Sequence, residues 1–379
     1  MVRCQCEEIS PRQNYLRLFP LISNAISSFW HFGCLTNADF APDSEGPPPS
    51  EEIFMSQTRS AQKSKIPGSG SKTAQGSSKL SVPVTSVHKV EADGVRVFYR
   101  VAGDQGSPVL LLLHGFPTSS FMFRELIPRL ADDYRVIAPD LPGFGFTEVP
   151  AERKYVYSFE RLAATLNAFT QALKIRRFAL YVFDYGAPIG FRLAMAHPDR
   201  VTAIVSQNGN AYEEGLGDAW GPIRKYWAEP TSENREVISK NILTLEGTRW
   251  QYTHGVGDPA GVPPESYTLD TALLEREGNK DIQLDLFLDY ASNVKLYPAF
   301  QDYFRKAKPP LLAIWGKNDP FFVPAGAEAF RRDIPNAQVE FLDTGHFATE
   351  THVVEIAAEM KEFLAANGVS NKTDDGTSQ

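Results

Sequence analysis

Three side chains in this sequence stand where a displacement reaction could use them. Asp184 lies in Tyr181-Val182-Phe183-Asp184-Tyr185-Gly186-Ala187-Pro188-Ile189-Gly190, where an apolar run gives way to a stretch opening with glycine. Asp319 lies in Gly316-Lys317-Asn318-Asp319-Pro320 and His346 in Asp343-Thr344-Gly345-His346-Phe347, each just beyond another apolar run. A carboxylate, a second carboxylate and an imidazole, in that chain order, supply an attacking group, a residue to orient a base, and the base itself. Gly186, two positions after Asp184, lets the backbone turn sharply from strand into helix. No Gly-x-Ser-x-Gly occurs, which disfavours serine esterase chemistry. An aspartate in this place attacks a saturated carbon and forms an alkyl-enzyme ester, which water then cleaves at its carbonyl with help from a base. The plainer readings are a turn aspartate at 184, an ordinary Asn-Asp-Pro turn at 319 and a core histidine at 346.

Groups that act together from distant parts of a chain need a scaffold, and the intervening residues describe one. Ser86 to Val90 and Val95 to Val101 flank the turn dipeptide Asp93-Gly94 and read as a β-hairpin. Val109 to Leu113 is a continuous apolar run, the mark of a strand buried on both faces, and stops at His114-Gly115-Phe116-Pro117. A helix is expected over residues 120–133, then a strand over Arg135 to Asp140 that ends in the loop Leu141-Pro142-Gly143-Phe144-Gly145, read as structural. Leu162, Leu166, Phe169 and Leu173 mark a helix over 158–173. Phe178 to Phe183 reads as a strand, Gly186 to His197 as a helix and Val201 to Ser206 as a strand. This alternation predicts an α/β fold, a mostly parallel sheet with helices on both faces, in which functional groups gather at the carboxyl ends of strands. After Gly209 the alternation breaks. Residues 211–308 carry Trp220, Trp227 and Trp250 with helical spacings such as Ile238, Ile242 and Leu245, and read as a helical insertion. Strand and helix signals resume at Leu311 to Trp315, 324–333, Gln338 to Leu342 and a last amphipathic helix through Val353, Ile356, Met360 and Phe363. The expected organisation is a leader and linker over 1–83, a core over 84–210 and 309–368, a cap over 211–308 and a flexible tail over 369–379.

Composition removes other classes. The chain has 379 residues and a formal net charge of −8, which argues against a nucleic-acid partner. No apolar run approaches the roughly 18 residues of a membrane span. Residues 15–32 are apolar but interrupted by Pro20 and Asn24, with Glu7 and Glu8 ahead, so a secretory signal is not expected. Cys4, Cys6 and Cys34 all fall in the first 34 residues, which excludes a disulfide framework from the body and makes a reducing, cytoplasmic setting the default. From Ile53 to Val90 there are six basic residues and no acidic one; the part ahead of the first strand, rich in serine and glycine (Ile66 to Lys79), reads as a disordered linker. The body itself is acidic, which disfavours an anionic substrate.

The order nucleophile, acid, histidine at three strand ends resembles the α/β-hydrolase fold. With aspartate at the elbow and a His-Gly-x-Pro loop, residues 84–367 resemble its epoxide hydrolase and haloalkane dehalogenase branch. Val182 departs from the pattern, since a small residue usually stands two positions before the nucleophile. The resemblance implies a cofactor-independent hydrolase with no metal, acting through Asp184, Asp319 and His346. The N–H of Tyr185 and, by resemblance, that of Phe116 would form the oxyanion hole. Epoxide opening needs a proton for the alkoxide, which the family takes from cap tyrosines; halide departure needs N–H donors, typically an indole directly after the nucleophile. Tyr185 stands there, which favours an epoxide. Tyr226 is the early cap candidate, and Tyr297 or Tyr290 the late one. The tryptophans of the insertion could instead line a halide or apolar pocket. A haloalkane dehalogenase and a non-catalytic ligand-binding homologue are the alternatives. The aromatic insertion points to a small apolar or aromatic substrate, and the sequence leaves the oligomeric state open.

Overall fold

The computed structural model describes residues 83–370. The expected leader and nearly all of the tail lie outside the described residues. Eight strands form one sheet: β1 (Ser86–Ala92), β2 (Val95–Ala102), β3 (Val109–Leu113), β4 (Arg135–Pro139), β5 (Phe178–Phe183), β6 (Val201–Gln207), β7 (Leu311–Gly316) and β8 (Gln338–Leu342). Their order is β1-β2-β4-β3-β5-β6-β7-β8, and only β2 runs against the rest. The fold is that of an α/β hydrolase.

Helices α1 (Leu126–Leu130), α2 (Phe159–Ala172) and α3 (Gly186–Ala196) lie between the strands up to β6. Between β6 and β7 the α-helices are α4 (Gly221–Ala228), α5 (Ser232–Ile242), α6 (Leu245–Thr253), α7 (Pro264–Leu274) and α8 (Asn279–Ala307). After β7 come α9 (Pro324–Asp333), α10 (Ala348–Thr351) and α11 (Val353–Ala366). Strand residues alternate between two cores. Leu111, Leu113, Leu180 and Val182 pack with α2, α3, α8 and α9 on one face; Leu110, Leu112, Tyr181 and Phe183 pack with α1 and α11 on the other. This two-sided burial is why β3, β5 and β7 read as unbroken apolar runs.

The segment 120–133 is not one helix. Ser120–Phe123 is a 3-10 turn and α1 begins only at Leu126, because Pro128 lacks an N–H and fits only the first turn of a helix. In the opposite sense, α8 runs through Pro298 for 29 residues. It is tied to the sheet-side elements along its length: Gln283 Nε2–H donates to Gly143 O, Phe159 N–H to Asp289 Oδ2, Arg192 to Asn293 Oδ1, and Phe300 and Phe304 pack on Phe191. No helix among the described residues is long and apolar enough to cross a membrane.

Register sets the chemistry. Leu113 pairs with Val182, Phe183 with Gln207, Gln207 with Ile314 and Gly316 with Leu342. The carboxyl ends of five parallel strands are therefore level, and the loops that leave them meet at one edge.

Candidate active site

At the end of β5 the backbone turns through Asp184, whose φ of +46° lies in the left-handed region that a non-glycine residue rarely adopts. The turn leaves no room for side chains on its inner side. A Cβ at Gly186 would sit 2.4 Å from Leu113 O, and one at Gly115 would sit 2.2 Å from Asp184 Oδ1. The bulk of Val182, unexpected in such a turn, is housed by absent atoms elsewhere: a Cβ at Gly190 would lie 2.7 Å from Val182 Cγ1 and one at Gly209 3.1 Å from Cγ2.

The structure brings Asp184, Asp319 and His346 together in a nearly dry setting, 6%, 3% and 2% exposed respectively. His346 Nδ1–H donates to Asp319 Oδ2 at 2.6 Å, and Nε2 faces Asp184 Oδ2 at 4.0 Å. That gap is too long for a hydrogen bond and leaves room between imidazole and carboxylate for a reacting group. The N–H of Phe116 donates to Asp184 Oδ1 at 2.5 Å, and the N–H of Tyr185 also stabilises the carboxylate. Burial raises the Asp184 pKa to about 6, against the opposing pull of His346 and the two N–H groups. For His346 burial disfavours the charge, but Asp319 and Asp184 together more than offset it and hold the imidazole above its ordinary value. His114, at the start of the loop that carries Phe116, accepts from Leu141 N–H through Nε2, so its Nδ1–H donates to Gly115 O. Burial pushes its pKa down, and it braces the loop as a neutral ring.

A cavity of about 20 Å³, room for about one water, lies against Asp184 and His346. Phe116, Tyr185 and Phe321 contribute to its wall, and Trp220, Ile223, Ile242, Gln251 and Phe287 close it from the helical segment. A larger hollow of about 400 Å³ borders Arg124 and Glu350 and contains none of the three site residues.

The cap candidates separate. Tyr290 and Tyr297 are buried on one face of α8, their hydroxyls 3.5 Å apart, with Asn210 Nδ2–H donating to Tyr297. Burial raises both phenol pKa values, and the charge of Asp184 acts in the same direction. The Tyr226 hydroxyl instead accepts from Arg235, which pairs with Asp281 and Asp285 at a surface. Of the indoles, Trp220, Trp227 and Trp315 each donate to a backbone carbonyl, and Trp250 is exposed. Trp220 is the indole that lines the cavity, and its N–H is already taken by Phe321 O. No group of three His, Cys, Asp or Glu side chains among the described residues is arranged to hold a metal. Gln207 and Asn208 are not among the residues expected from sequence, although they too stand at the end of a parallel strand and the strand-end rule covers them.

The chain matches the α/β hydrolase fold family over residues 108–353. It is 52% identical to an uncharacterized hydrolase of Saccharomyces cerevisiae, over 76% of this chain and 100% of that protein. It is 38% identical to a haloalkane dehalogenase of Mycobacterium marinum, over 69% of this chain and 86% of that one. Among solved structures, the epoxide hydrolase CorEH superposes with a TM-score of 0.62 at 21% identity, covering 75% of this chain and 99% of that chain.

Proposed function

The chain belongs to the α/β-hydrolase superfamily, in the branch of epoxide hydrolases and haloalkane dehalogenases, and from that premise we propose that it is a cofactor-independent hydrolase that opens epoxides to diols through an Asp184 ester. One observation carries the reading. The oxyanion donor Phe116 N–H is spent on the Asp184 carboxylate itself, through Oδ1, while Oδ2 faces His346. In acyl transfer by a serine the donors await a substrate carbonyl; here they await the carbonyl of the enzyme's own ester.

Oδ2 attacks an epoxide carbon, the C–O bond breaks, and the alkoxide takes a proton from Tyr297 or Tyr290, phenols that burial keeps protonated. Water entering between ester and imidazole then gives a proton to His346 Nε2 and attacks Cγ of Asp184. The negative charge arises on Oδ1, already within reach of Phe116 and Tyr185 N–H. Collapse releases the diol, whose second oxygen takes the proton from His346, and the last proton of the water restores the phenol. The aromatic cavity wall has no basic side chain other than His346, which suits a neutral apolar or aromatic substrate. Tyr226 has no part in this scheme.

In heavy-oxygen water a single turnover should place label in Asp184 and none in the first diol released; label in that first product would end the ester mechanism. His346→Gln should accumulate the ester, visible as a mass increase equal to the epoxide. The name of the Mycobacterium marinum relative supports a second reading, halide displacement from the same ester chemistry. Halide release from chloro- and bromoalkanes, with no diol from a panel of aryl and alkyl epoxides, would select it.

A further inference from the structure

Asp319 approaches His346 from the loop after β7, yet much of its support comes from β6. Asn208, the residue after that strand, is fully buried and has a φ of +48°, a left-handed conformation that asparagine tolerates better than most residues. Its Oδ1 accepts from Gly316 N–H at 2.9 Å and from Gln207 Nε2–H at 2.6 Å. A backbone N–H can only donate, so the amide has one possible orientation. Nδ2 then faces the other way and donates to Asp319 Oδ2 at 2.7 Å. Gln207 is fixed by the same logic: its Nε2–H donates to His346 O, which can only accept, and Tyr181 O–H donates to its Oε1. Asp319 Oδ2 thus takes two donors, Asn208 and His346 Nδ1–H, while Oδ1 takes Phe321 N–H.

We infer that Asn208, oriented by Gln207, is the positioning residue of this site, setting the carboxylate plane of Asp319 and through it the tautomer and rotamer of His346. A carboxylate this deeply buried needs its lone pairs filled to stay charged, and a donor on the very oxygen that holds the imidazole leaves it one rotamer. Gln207 joins the same network to the backbone of the base, so the acid and the histidine are tied to each other through β6. Of the charged groups, Asp319 and Asp184 face His346; its ring is otherwise surrounded by Phe183, Phe321, Phe322 and Phe347.

The inference rests on the proposed roles of Asp184 and His346, and it makes a distinction those roles do not. Alkylation of Asp184 needs no base, whereas attack of water on the ester does. Two variants of the full chain test this. Asn208→Gly keeps the backbone conformation and removes the amide; Asn208→Asp keeps the shape and the Oδ1 acceptor but sets an oxygen against Asp319 Oδ2. Without substrate, the low-field proton resonance of His346 Nδ1–H, identified by its absence in His346→Gln, should be displaced or broadened in both variants. With an aryl epoxide in rapid-quench experiments, ester formation should stay within about twofold of the parent and ester hydrolysis should slow by about tenfold or more, the scale of one hydrogen bond to a charged group. The parameters kcat and KM then fall together while kcat/KM holds. An unchanged low-field resonance, or equal slowing of both phases, would overturn the inference in favour of a merely structural role. A parent that forms no ester with any epoxide defeats the proposed function instead, and the resonance alone then decides the role of Asn208.

Discussion

Asp184 is a carboxylate whose surroundings resist its charge, and this bears on both the stability of the fold and the titration of His346. Its folded pKa of about 6 lies above the ordinary 3.8, so ionisation weakens the fold: the penalty is absent below the lower value and complete above the higher one. Asp184→Asn removes that penalty. The variant should be more stable by about 2–3 kcal/mol at about pH 8 and gain nothing near about pH 3.5, as read by denaturant melts at the two pH values. The same charge helps to hold a proton on His346, so Asp184→Asn should also lower the imidazole titration seen by NMR. In the proposed reaction, forming the ester would neutralise Asp184 in the same way, and His346 would lose one of its two carboxylate neighbours at the step where it is to act as a base. The strand ends made these residues legible from sequence, because a parallel sheet collects its chemistry there whatever the details of packing. The surroundings of Tyr226 are not legible in the same way: Arg235, on the neighbouring helix, donates to its hydroxyl, a contact that no chain spacing announces.

The turn from β5 into α3 shows how an element absorbs a departure from pattern. Val182 fits because Gly190, eight residues on, has no side chain to meet it. Gly190→Ala should destabilise the protein by about 1–3 kcal/mol, since its Cβ would lie 2.7 Å from Val182 Cγ1. Val182→Ala in the same chain should return most of that loss, and melts of both single variants and the double would show the coupling. The strands were readable from their apolar runs, as were the helices with periodic faces. Prolines were the hard cases. Pro128 divides the segment expected as one helix, whereas Pro298 fails to end α8, because ties to Gly143, Phe159 and Arg192 hold that helix in place and no local signal reports them.

Across the molecule, a cavity of about 20 Å³ cannot take an aryl epoxide, so binding requires the wall to open. Stopped-flow mixing of His346→Gln with an epoxide should give an observed rate that levels off at the opening rate; a rate still climbing linearly at about millimolar ligand would show a site already open. What yields is constrained by how the wall is fastened. Tyr290 and Tyr297 belong to α8, which is bound along its length to the loop after β4, to α2 and to α3, the helix that opens just after Asp184. Trp220, Ile223, Ile242 and Gln251 come instead from the stretch that ends with α6. Part of the wall is thus on a different piece of chain from the residues proposed to react, although Phe116, Tyr185, Phe287 and Phe321 complete it from the core and α8. Exchanging the stretch from Trp220 to Gln251 between relatives would transplant a preference for one molecule over another while leaving the reaction performed on it unchanged.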